Sequence, residues 1–152
     1  GCREFSARML QVAERYDFAQ QAAFASFMLG LVHSGGDDLV RGLEQMQTAF
    51  EAASTYRFAA GYPHVVMADA LMKAGRNQDA LSVVTRALDA VKNTERGLFV
   101  SELWRLRGEL ALTISADRAS AERFLSKAAQ IAAAQGAKPF HASASRALAR
   151  LG

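Results

Sequence analysis

One cysteine is all that 152 residues contain, so Cys2 can close no internal disulfide and anchor no multi-thiolate zinc site. That usage fits a reducing compartment, and the cytoplasm is the expected location. Prolines are equally scarce, with 2 in the chain, so few positions forbid a continuous helix. Long hydrophobic runs are missing too. The longest nearly apolar stretch, Ala22 to Val32, is 11 residues and contains Ser26, whereas a helix needs about 20 to span a bilayer, so no membrane partner is expected. A charged-then-apolar leader is absent and the first residue is Gly1 rather than methionine. The chain therefore reads as a piece of a longer protein, with Gly1 as a tag remnant.

What is abundant is alanine, 31 residues, within a composition that is 51% hydrophobic and 22% charged. Such a chain can bury a core as one domain over 1–152, and its propensities favour helices over twisted sheets. Net charge is +3, unevenly spread: residues 1–90 carry 8 basic and 10 acidic side chains, residues 91–152 carry 10 and 5. The basic half raises nucleic acid as a partner through Arg118, Arg123, Lys127, Lys138, Arg146 and Arg150. Their scatter, without interleaved exposed aromatics, favours a solvated helical surface instead.

Apolar residues recur three and four apart, broken by short clusters of Gly, Asn, Asp or Ser, which predicts about eight helices joined by tight turns. The expected spans are Arg3 to Tyr16, Phe18 to His33 with Asp17 as its cap, Asp37 to Thr55, and Tyr62 to Ala74 with Pro63 in the first turn. Gln78 to Asn93 follows with Asn77 as its cap, then a turn from Thr94 to Gly97. Leu98 to Ile114, Arg118 to Gln135 and Pro139 to Leu151 complete the set. Gly75 is expected as a left-handed C-cap and Gly136 as a stop.

Self-similarity organises these helices into repeats. Small residues pair seven apart at Gly42 and Ala49, Ala80 and Ala87, and Ala121 and Ala128, and these pairs are offset by 38 and 41 residues. A third small residue lies twelve positions earlier at Gly30 and Ala68, and thirteen earlier at Gly108. Where two antiparallel helices cross closely, a larger side chain would hold the backbones apart. Larger apolar residues, among them Leu29, Met46, Met67, Val84, Leu106, Leu125 and Ile131, would fill the space around those crossings.

The spacing Ala68-x6-Gly75-x4-Ala80-x6-Ala87, with Trp104 four residues before Gly108, resembles tetratricopeptide repeats, most closely in the second and third units. Ser26 replaces the aromatic in the first. Three stretches, Ala70 to Leu81, Ser101 to Leu110, and Ala132 to Lys138 followed by Ala147 to Leu151, look like the C-terminal helical repeats of large bacterial signalling proteins. Those proteins carry an ATPase module behind an adenylate or guanylate cyclase domain or a DNA-binding activator domain. The resemblance covers about residues 20–152. It implies an all-α, right-handed superhelical stack of antiparallel helix hairpins, with repeats at about 20–57, 58–97 and 98–137 and partial hairpins at both ends. It also implies a regulatory or scaffolding role in signal transduction or transcription, with catalysis elsewhere.

Nothing in the residues contradicts a non-catalytic, cofactor-free role. His33, His64 and His141 lack metal-like spacing. His33-Ser34-Gly35-Gly36 lacks the flanking residues of a nucleophile turn or a phosphate loop and reads as a helix-to-helix turn. Glu102 and Glu109 share a face, but Arg105 between them predicts a surface ion-pair ladder rather than acid–base chemistry. Trp104 reads as inter-helix packing.

In stacked hairpins the first helix of each pair lines the concave face. The candidate partner groove is therefore Phe24, Phe27 and Leu31, then Tyr62, Val65, Asp69 and Met72, then Glu102, Arg105 and Glu109. It would be apolar at one end and charged at the other, suited to a protein or peptide or to other domains of the same chain. A small-molecule effector held in that face is the alternative. Truncated repeat ends offer a further route, pairing of two copies.

Overall fold

The structure, a computed structural model, describes residues 1–35, 38–54, 61–92, 97 and 99–152. Among the described residues there are eight helices and no strand. They are α1 (Cys2–Arg15), α2 (Ala19–Ser34), α3 (Leu39–Ser54), α4 (Tyr62–Lys73), α5 (Asn77–Ala90), α6 (Val100–Ser115), α7 (Arg118–Ala134) and α8 (Lys138–Ala149). The expected boundaries at Asp37, Thr55, Asn93 and Leu98, the glycine at 36, and residues 94–96 of the expected turn lie outside the described residues.

Helix ends explain where the reading of caps differs from the structure. Asp17 is not the cap of α2. It sits beyond the end of α1 at φ 56°, where Phe18 donates its N–H to the Ala13 carbonyl at 2.8 Å and Asp17 donates to Glu14 at 3.3 Å. A residue committed to this left-handed reversal closes the helix behind it, and Phe18 takes the N-cap position of α2. The same pair of bonds closes α4 around Gly75 (φ 75°) and α7 around Gly136 (φ 65°), as expected for residues without a Cβ. Asn77 likewise lies inside α5, with Arg76 as the N-cap. Asp117 caps α7 through its side chain, which accepts from the Ser120 N–H at 3.0 Å.

By its internal contacts the chain divides into two compact units, Gly1–Ala59 and Ala60–Gly152. In the first, α2 packs against both α1 and α3. Phe27, Leu29, Leu43 and Met46 are buried there, and the Phe27 and Phe50 rings meet at 6.4 Å. In the second, each helix packs on the next, and the alternate helices α4, α6 and α8 also touch in turn. Leu71, Val84, Leu103, Leu106, Leu110 and Leu125 form its interior.

The small residues all lie inside these units. Gly30, Gly42, Ala49, Ala68, Ala80, Ala87, Gly108, Ala121 and Ala128 are buried. A methyl group added at Gly30 would stand 2.7 Å from the Met46 backbone nitrogen and 2.8 Å from the Gly42 carbonyl oxygen, so α2 and α3 touch nearly backbone to backbone. Ala87 has no exposed surface. Ala87→Leu is expected to overpack the second unit and cost about 1–3 kcal/mol, read as a lowered urea midpoint.

Candidate interaction surface

Chain order spreads the expected groove residues over three helices in two units. Phe24, Phe27 and Leu31 lie on α2. Phe27, at 3% exposed, is a core side chain of the first unit; Phe24 and Leu31 are half-buried. Tyr62, Val65, Asp69 and Met72 recur at helical spacing along α4. Tyr62 is 40% exposed, and Asp69 pairs with Lys73 at 2.6 Å. Aromatic contacts run on from Tyr62 to Phe99 at 5.6 Å and from Phe99 to Phe140 at 5.8 Å, linking the starts of α4, α6 and α8.

Glu102, Arg105 and Glu109 do come together on α6, but not as the expected surface ladder. Their side chains are 11%, 15% and 30% exposed. Arg105 donates from Nε and Nη2 to Glu102 Oε2 at 3.0 and 2.9 Å, and from Nη1 to Glu109 Oε1 at 2.7 Å. The guanidinium is planar and serves two carboxylates at once. Burial alone would depress the Arg105 pKa; the hydrogen bond to Glu102 and the charges of Glu109 and Glu102 outweigh it and raise the value. Two neighbouring buried atoms, Glu102 Oε1 and Ser101 Oγ, have no hydrogen-bond partner among the described residues. Sequence alone gives the three-and-four spacing but not the burial, which depends on what packs over α6.

His64, on the first turn of α4, is half-buried, and its Nδ1 accepts from the Gly61 N–H at 3.5 Å. Desolvation, and after it the positive charge of Arg86, lowers its pKa from 6.5. The unfolded chain therefore takes up this proton at a higher pH than the folded chain. Stability present above the unfolded value is lost as pH falls through it toward the folded one. Thermal melts at about pH 7 and about pH 5 should show an acid-induced drop that is smaller in His64→Gln.

A second constellation, between α6 and α7, escapes the sequence reading. Trp104 and Phe124 pack at 5.6 Å; Lys127 Nζ lies 4.5 Å from the Trp104 ring centre, while Arg123 and Arg107 lie over the Phe124 ring at 5.1 and 5.7 Å. Trp104 does pack between helices as expected, yet it is half-buried rather than enclosed. On α7, Arg123 and Lys127 thus lie against half-buried aromatics, while Arg118 is exposed as expected of a solvated face. The available signal was Arg123-Phe124 and Lys127 on one face of α7, but their partners Trp104 and Arg107 lie on another helix.

Among the described residues no cluster of three or more His, Cys, Asp or Glu could hold a metal ion, and no helix is long and apolar enough to cross a membrane. Compared with protein families, curated proteins and solved structures, the chain matches none.

Proposed function

We propose that the chain is a non-catalytic, tetratricopeptide-like interaction and regulatory segment of a cytoplasmic bacterial signalling or transcription-regulating protein. The observation that carries this reading is the burial of the small residues at the expected helix crossings, from Gly30 to Ala128, with Gly75 instead exposed at a helix end. Periodic close crossings are what stacked hairpins require, and a right-handed superhelical stack is the arrangement such repeats adopt. Contact between alternate helices α4, α6 and α8 supports the same reading, because first helices of successive hairpins line one face of a stack. On that face Tyr62, Val65, Asp69 and Met72 supply an apolar anchor beside a charge, the pattern that holds a peptide in register.

The test is capture from the source lysate by the wild type and by a Tyr62→Ala, Asp69→Lys variant whose helicity is first matched by circular dichroism. Loss of specific partners in the variant is expected. Identical partner sets would overturn the assignment of this face.

A further inference from the structure

The cleft between α6 and α7 has about 800 Å³ of volume and is lined by Trp104, Arg123, Phe124, Lys127, Gln130 and Ile131, together with Ser126 and Ala134. Among the described residues no carboxylate lines it. A second cleft of about 340 Å³ shares Arg123 and Phe124 and adds Arg107 from α6 and Leu81 from α5, with Asp117 as the one acid among the described residues. Arg107 donates to the Thr85 hydroxyl and Arg123 to the Ser120 hydroxyl at 3.2 Å. Among the described residues neither arginine has a carboxylate within 4 Å, as Arg76 and Arg105 do, although after the hydrogen bonds from Ser120 the charge of Arg123 reaches Asp117 and helps lower its pKa.

We infer that this cleft binds an acidic peptide segment, with carboxylates meeting Arg123 and Lys127 and an apolar side chain resting toward Ile131 and Ala134. Arginines held by neutral hydroxyls and stacked on a ring keep their charge while losing little freedom on binding, which suits them to a carboxylate. The two rings hold the cations in place and present apolar surface between them. A single-stranded nucleic acid is the weaker fit. It binds through bare aromatic faces on which bases stack, and here cations already lie over both rings. The inference rests on the reading of the chain as an interaction segment but uses a different surface from Tyr62 and Asp69.

Trp104 is the one tryptophan in the chain, so its emission reports on this cleft alone. The probes are a short glutamate-rich peptide with a central leucine, the same peptide with glutamine for glutamate, and an oligo-dT strand. A saturable change in emission with the acidic peptide, absent with the glutamine peptide, is expected. Arg123→Gln with Lys127→Gln should weaken it by about tenfold or more. Circular dichroism checks the variant's fold, and Arg123→Gln alone, at an exposed position, serves if the pair loses helicity. No emission change, an equal response to the glutamine peptide, tighter binding of oligo-dT, or unaltered affinity in the variant would each overturn the proposal. Lysate capture that persists through the Tyr62 face while Trp104 stays silent would remove the cleft and leave the interaction segment standing.

Discussion

Gly42→Ala should destabilise the protein by about 2 kcal/mol, even though alanine is the better helix former by about 1 kcal/mol. The reason is what the new methyl would meet. At Gly42 it runs into the Ser34 backbone nitrogen, stands 2.7 Å from Ser34 Cα and lies 2.7 Å from the Gly30 carbonyl oxygen. All three are backbone, so relief requires moving α2 away from α3 along the length of their contact. At Gly108 the nearest atom is Leu125 Cγ at 2.7 Å, the branch of a side chain that can turn aside, so Gly108→Ala should cost less. At Gly35 nothing lies closer than 3.7 Å, and Gly35→Ala should be neutral or stabilising by about 0.4–1 kcal/mol. Urea denaturation of the three variants gives the order directly. A Gly42→Ala protein as stable as the wild type would mean that α2 and α3 do not approach this closely.

That ranking marks how far the fold was legible in the sequence. Alanine content, the three-and-four periodicity and the turn clusters suffice for eight helices, because helix formation depends on local propensity and a one-sided apolar pattern. The small-residue spacing also carries the crossings, since Gly30, Gly42 and Gly108 have no use in a helix interior unless something presses on them. Caps were less legible. Asp17 looks like an N-cap by residue type, but the choice between ending one helix and starting the next is made by backbone geometry shared with Ala13 and Phe18. The site was legible in fragments only. The spacing of Glu102, Arg105 and Glu109 is local and visible, whereas Phe27 meeting Phe50, or Lys127 covering Trp104, joins residues more than twenty positions apart on different helices.

Breaking the α6 triad at its centre should have a large effect on stability. Arg105→Leu leaves the Glu102 carboxylate 11% exposed with no cation, on an oxygen pair of which Oε1 already lacks a partner among the described residues. Removing one member of a buried ion pair costs about 3–5 kcal/mol, because the remaining charge has lost water and gained nothing. Replacing all three residues with apolar ones of similar volume should instead be neutral or stabilising by about 1–4 kcal/mol, since the desolvation penalty disappears together with the attraction. Arg105→Lys should fall between these, as one ammonium cannot reproduce a fork that holds Glu102 and Glu109 together. Urea denaturation of the three variants separates the cases, and an Arg105→Leu protein of wild-type stability would show that the triad is solvated. The triple variant carries the functional consequence. If it is as stable as the wild type but captures fewer partners, then the retained charges at Glu102, Arg105 and Glu109 serve recognition, because folding has been shown not to need them.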